Sequence, residues 1–194
     1  MSKAEKTRQY IVEKTAPVFN KKGYAGTSLT DLTEATGLTK GSIYGNFTNK
    51  DEVALAVFDY NLQNLQAIIN TEMSKRTGIR EKLMTYVDVY EHYQNYPFQQ
   101  GGCPILNTAT EADDTHPELK KKALGAVMNW KNNIMRLIEK GQEQGEFAKA
   151  ADAEQIAFTI VATIEGCIMI HKLTGKVQHR NMILQTVEKM IREL

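Results

Sequence analysis

Cysteine is nearly absent from this chain: 194 residues hold two, Cys103 and Cys167, too far apart for a CxxC motif and too few for a disulfide framework. Long apolar runs are also missing. The N-terminus, MSKAEKTRQYIVEKT, lacks the apolar stretch of a secretory signal. The most apolar region, Ile156 to Ile170, is interrupted by Glu165 and falls short of the roughly 20 residues that cross a bilayer. A cytoplasmic protein without membrane association is the expectation. No G-x-S-x-G elbow, H-E-x-x-H pair or glycine-rich phosphate loop occurs, which argues against an enzyme. The histidines (92, 116, 171 and 179) are scattered. Cys167 and His171 are four apart on one helical face, but two ligands are only a fragment of a metal site, and packing explains them better. Neither a metal nor a cofactor is expected.

Strand alternation and internal repeats are lacking too; what is present is helical period. A chain with 42% hydrophobic and 24% charged residues is ordinary for a soluble globular protein of one or two domains. A first helix over about residues 3–22 turns Ile11, Val18 and Phe19 inward and stops at Gly23, with a kink expected at Pro17. A long helix follows Lys50, carrying Val53, Val57, Leu62, Leu65 and Ile69. Breaks near Thr77-Gly78, at Pro97 through Gly101-Gly102, and around Gly145 separate further helices over about 79–96, 104–112, 117–145, 152–173 and 179–192. The expected fold is all-α with about nine helices. Charge is uneven: residues 1–50 hold eight Lys/Arg against four Asp/Glu, the remainder sixteen against nineteen. A neutral whole with a basic first quarter fits a localised phosphate-binding surface.

The densest information lies in residues 27–50, TSLTDLTEATGLTKGSIYGNFTNK. Ser28 and Asp31 are spaced as a capping box, and Leu29, Leu32 and Ala35 recur at helical spacing. Gly37 suits a left-handed helix stop. Thr39 is placed to cap a second short helix whose inner face holds Ile43 and Phe47. Its outer face offers Lys40, Ser42, Tyr44 and Asn46, a hydrogen-bonding set, and Lys50 opens the next helix. Two short helices about a glycine are common in all-α proteins, so geometry alone would be weak grounds for DNA binding.

The whole string resembles the N-terminal helix-turn-helix of the TetR family of bacterial transcription regulators (AcrR-like). The resemblance runs from about Ile11 to Val53, through Phe19, Gly23, Tyr24, Thr27, Ser28, Gly37-Leu38-Thr39-Lys40-Gly41-Ser42-Ile43-Tyr44, Phe47, Lys50 and Glu52. Thr33, where the family usually has alanine, and Gly45, where an aromatic or histidine is frequent, depart from it. A glycine inside the reading helix would cost about 1 kcal/mol relative to alanine. The resemblance implies a DNA-binding head at residues 1–50 and an effector-binding and dimerisation body at 51–194. It also implies a homodimer on a pseudo-palindromic double-stranded operator, with repression relieved by a small molecule. Thr27, Ser28, Tyr44 and Lys50 are then expected at the DNA backbone, Lys40, Ser42 and Asn46 at base edges, and Thr39 among the DNA-binding residues. An activator with the same head is the alternative.

In the body, Ile156, Ile160, Ile164 and Ile168 repeat every four residues, and Ile183, Val187, Met190 and Ile191 line the last helix; the family resemblance makes these the dimer seam. Tyr86, Tyr90 and Tyr93 share one helical face, with Leu83 and Tyr96–Phe98 nearby, and Trp130 is the only tryptophan. With Asn107, Glu111, Asn133 and Glu165 as polar anchors, they are candidate walls for an apolar or aromatic effector. Aromatic and methionine stripes are more often plain core. Cys103, in Gly101-Gly102-Cys103-Pro104, is placed at a helix N-terminus, where amide dipoles favour a thiolate. That makes electrophile or redox sensing a second alternative, against the plainer reading of a small residue in a tight turn.

Overall fold

The computed structural model describes residues 2–96 and 101–194. Among them are nine α-helices, one 3-10 turn at Tyr93–Asn95 and no strand. The helices are α1 (Lys3–Gly26), α2 (Leu29–Thr36), α3 (Lys40–Tyr44), α4 (Lys50–Ser74), α5 (Ile79–Glu91), α6 (Pro104–Ala112), α7 (Pro117–Glu143), α8 (Ala153–Thr174) and α9 (Val177–Arg192). The expected loop at Pro97 and the placement of Phe98 lie outside the described residues.

Helix ends follow local chemistry. Ser2 and Glu5 form a capping box on α1, and Ser28 and Asp31 form one on α2. Asp152 accepts from the amides of Glu154 and Gln155 to start α8. Gly37 and Gly175 end α2 and α8 in the left-handed conformation, at φ 67° and 66°. Pro104 opens α6, where its missing amide hydrogen costs nothing.

Two expectations, one about α1 and one about α3, are corrected. The helix passes through Pro17 without leaving helical geometry, because Pro17 and Glu13, whose carbonyl loses its partner, both lie on the exposed face. The break comes at Gly23, where the sequence placed the stop, with φ 72° and ψ 179°, a region that side chains essentially exclude. Gly45 is not inside the reading helix either; it caps the end of α3 at φ −77°. Thr33 is half-buried, its hydroxyl donating to the Thr30 carbonyl at 2.9 Å.

The chain divides into two compact units, and the division does not fall at residue 50. One comprises residues 1–65 and 96–124, the other 66–95 and 125–194. The first extends past Lys50 because Val53, Val57, Phe58 and Leu65 of α4 are buried, and it takes in α6 because α6 packs on α1. Its core is completed by Ile11, Phe19, Leu32, Ile43 and Phe47. In the second unit, α5, α8 and α9 pack together. Ile160, Ile164 and Ile168 are fully buried there, as are Leu184, Val187 and Ile191. Ile160, Ile164 and Ile168 of the ladder expected at a dimer seam, with Val187 and Ile191, are therefore the protomer's own core, while Ile156, Ile183 and Met190 are half-buried. The outward apolar residues of α8 and α9 are different ones: Phe158, Met169, Leu173, Val177 and Met182.

A close approach marks the end of α7. A Cβ on Gly141 would stand 2.1 Å from Cδ2 of Phe147, whose amide donates to the Gly141 carbonyl. Gly141→Ala is expected to cost about 1–3 kcal/mol by overpacking, lowering the melting midpoint by about 2–4 °C for each. Thermal unfolding followed by circular dichroism tests this; an unchanged midpoint would mean that Phe147 moves aside freely.

Candidate nucleic-acid interface

The segment 28–47 is built as two helices about a glycine turn. Thr39 accepts from the Ser42 amide at 3.2 Å and starts α3, while Ile43 and Phe47 anchor its inner side at 0% and 2% exposure. On the outer side Ser28, Thr39 and Lys40 are exposed, and Ser42, Tyr44 and Asn46 are half-buried. Asn46 spends its Nδ2 on the Ser42 carbonyl at 2.9 Å. A polar, outward second helix held from behind by an apolar pair defines a helix-turn-helix head.

Two expected backbone contacts are placed otherwise. Thr27 is fully buried, its hydroxyl donating to the Gly23 carbonyl at 2.6 Å. Lys50 reaches inward: Nζ donates to the carbonyls of Tyr24 at 2.9 Å and Thr27 at 3.1 Å, and lies 4.3 Å from the Tyr24 ring centroid. Both residues hold the turn between α1 and α2, Thr27 out of contact with solvent and Lys50 half-buried.

Sequence reasoning also missed Arg8. Its guanidinium donates to the Asn46 carbonyl at 2.5 Å and to Glu52 at 2.6 Å, and stacks over Phe47 at 3.9 Å. It therefore fixes the end of α3 against α4. Glu52 in turn accepts from the Thr48 amide at 2.7 Å. That amide bond, then Arg8, holds the Glu52 carboxyl down at about 2. Lys22, followed by Ser28, does the same for Asp31, also at about 2. The Tyr24 phenol, donating to Asp51, is pushed up to about 12. Nothing in local sequence pairs Arg8 with Glu52; only the fold brings them together.

The candidate effector residues divide between the two units. In the second, Trp130 stacks on Tyr90, with centroids 5.3 Å and planes 17° apart, and Tyr86 lies tilted at 6.3 Å. Tyr93 meets His171 edge-on at 5.9 Å. Burial pushes up the phenols of Tyr86 and Tyr93. Glu165 is buried, and Trp130 Nε1 is buried without an acceptor among the described residues. Asn133 faces solvent and so is not a wall of that cluster. Asn107 belongs to the first unit, where its Nδ2 donates to Asn20 and Gly101. Glu111 is likewise engaged there, with the amides of Tyr24 and Ala25. Cys103 is 2% exposed at the start of α6, which removes the access a reactive thiol requires. The other thiol, Cys167, donates to the Arg180 carbonyl at 3.5 Å and is pushed up to about 11 by burial.

Known proteins agree with this architecture. The family model described as bacterial regulatory proteins, tetR family, matches residues 11–57, and the one described as tetracyclin repressor-like, C-terminal domain, matches residues 80–187. A solved TetR-family regulator from Cytophaga hutchinsonii is 46% identical, covering 100% of this chain and 97% of that one, at TM-score 0.96. Another, from Chloroflexus aurantiacus, is 34% identical over 100% and 98%, at TM-score 0.94. The HTH-type transcriptional repressor DhaR of a Mycobacterium species is 26% identical, covering 86% of this chain and 82% of DhaR. The regulator TtgR of Pseudomonas putida is 27% identical over 85% and 80%. The chain belongs to the TetR family of bacterial transcription regulators. It is a DNA-binding regulator and not an enzyme.

The low carboxyl values set a pH window. Asp31 and Glu52 are ionised more easily in the folded head than in the unfolded chain, so they stabilise it above the ordinary carboxylate range. That stabilisation is lost as pH falls from about 4 towards 2. In Glu52→Gln, urea unfolding should show lower stability at neutral pH and a shallower decline across that window. Parallel curves for both proteins would contradict the Arg8–Glu52–Thr48 arrangement.

Proposed function

We propose that this chain is a repressor that leaves a pseudo-palindromic operator when a small apolar or aromatic molecule binds. The observation that carries the DNA reading is the outer side of α3, polar and accessible behind a buried Ile43–Phe47 anchor. Lys40, Ser42 and the side-chain oxygen of Asn46 approach base edges, while Ser28, Thr39 and Tyr44 approach phosphates. DhaR is named a repressor, as is ComR of Escherichia coli, 22% identical to this chain, which supports repression over activation.

Pairing of two copies follows from the outward face of α8 and α9. Phe158, Met169, Leu173, Val177 and Met182 leave large apolar surfaces in water, Leu173 being 80% exposed. A second copy set two-fold against them covers the same residues on both sides and presents two α3 helices to half-sites one helical turn apart. The effector is held at the Tyr86–Tyr90–Trp130 cluster, where a planar ligand stacks and an acceptor atom meets Trp130 Nε1. It lowers DNA affinity by its preference for a differently spaced dimer. Acting on the chromosome, the protein works in the cytoplasm.

Two measurements test this reading. Leu173→Glu with Met182→Glu should convert a dimer in sedimentation into a monomer and abolish binding to a duplex selected from a random library. A dimer that persists would place the pairing face elsewhere. Because Trp130 is the sole tryptophan, an aromatic ligand that releases the duplex should also change intrinsic emission. Release with unaltered emission would move the effector away from that cluster.

A further inference from the structure

We propose that Glu111 is a positioning residue for DNA reading: its carboxylate, seated on the amides of Tyr24 and Ala25, sets the direction in which the chain leaves α1 for α2. The inference rests on the head being a DNA reader. Gly23 breaks the helical geometry of α1, and the two amides that follow the break, those of Tyr24 and Ala25, point at one carboxylate. Glu111, on α6, takes both. Oε2 accepts from Tyr24 at 2.6 Å and Oε1 from Ala25 at 2.8 Å. Consecutive amides sharing one carboxylate form an anion seat.

The seat is closed to other residues at Gly23. A Cβ there would stand 2.4 Å from Glu111 Oε2 and 2.7 Å from Oε1. Glycine is thus required twice at one position, by its φ of 72° and by the approach of the carboxylate. One helical turn before Glu111, Asn107 donates to the Asn20 carbonyl at 3.0 Å, to Asn20 Oδ1 at 3.1 Å and to the Gly101 carbonyl at 2.9 Å. Asn20 donates back to the Gly102 carbonyl at 2.9 Å. The side of α6 carrying Asn107 and Glu111 is therefore bonded along the end of α1. From the seat the chain has only Gly26 and Thr27 to cross before Ser28 caps α2, so a shift of residues 24–25 is passed on to α2 and α3.

A seat for a carboxylate can be refilled, and this separates positioning from general support. The full-length protein is measured by fluorescence anisotropy on a duplex selected by the wild type from a random library, and on an unrelated duplex of equal length. Glu111→Ala is expected to weaken the selected duplex by about tenfold, the scale of one or two charge-assisted hydrogen bonds, and to leave the unrelated duplex nearly unchanged. Replacing chloride by acetate at equal ionic strength should restore part of the loss in Glu111→Ala and do nothing for the wild type. Glu111→Gln, which keeps one acceptor oxygen in place, should fall between the two and respond little to acetate; it also serves if the alanine variant does not fold. Wild-type affinity in both variants, equal losses on both duplexes, or a loss in Glu111→Ala that acetate leaves untouched overturns the inference. A wild type that selects no duplex overturns the DNA reading itself, a failure distinguishable from these.

Discussion

Helix α1 has to hand the chain to α2 without leaving its last amides and carbonyls unbonded, and that requirement shapes the whole head. Buried backbone groups without partners cost as much as lost hydrogen bonds. After Gly23 the helix supplies only part of them, the Thr27 amide reaching the Tyr24 carbonyl at 3.4 Å. Lys50 of α4 takes the carbonyls of Tyr24 and Thr27, Glu111 of α6 takes the amides of Tyr24 and Ala25, and the Thr27 hydroxyl takes the Gly23 carbonyl. A positive group sits on the carbonyls and a negative one on the amides, each matched to the sign of its partner dipoles. The direction of the reading helix is thus decided partly by residues outside the helix-turn-helix segment. This is one physical reason that α6 belongs to the same compact unit as residues 1–65.

The same bonds change how the basic first quarter is understood. Of its cations, Arg8 is spent on Glu52 and the Asn46 carbonyl, Lys22 on Asp31, and Lys50 on two carbonyls. These charges do structural work before any phosphate arrives. Arg8 and Glu52 remain partly exposed, at 40% and 36%, so their pair is screened by solvent and its main effect is geometric: it pins the carbonyl at the end of α3. A charge count over residues 1–50 therefore overstates the phosphate contacts. Lys40, exposed on α3, is better placed for DNA than the cations already bonded within the head.

What could be read from sequence was what depends on neighbours in sequence. The Ser28–Asp31 box, the Gly37 stop and the Thr39 cap are local chemistry, and all three stand where spacing put them. So does the proline that opens α6. The misplacements have one cause: a side chain's direction depends on helices far away in the chain. Thr27 and Lys50 have residue types suited to phosphates, yet the fold turns both inward. Asn133 and Trp130 are three apart on α7, yet one faces water and the other stacks on Tyr90. Arg8 and Glu52 are 44 residues apart, and no periodicity joins them. Asn107 and Glu111 stand out in sequence only as polar anchors for an effector, but their partners are mostly backbone groups of α1, which sequence spacing does not identify.

Helix α8 shows the same limit on a larger scale. Its 22 residues have a mean hydropathy of 1.6 in the most apolar window, enough by length and composition to cross a membrane. Only 33% of that window is buried within the protomer. Ile160, Ile164 and Ile168 turn to the core, Glu165 is buried as well, and Phe158, Met169 and Leu173 turn outward. A helix apolar on both sides needs cover on both sides. The protomer covers one, with α5 and α9 packed against it. Period alone gave the isoleucines to the wrong side, because an internal face and an interface have the same spacing. The residues left uncovered, and not the most regular stripe, are the physical ground for the proposed pairing of two copies.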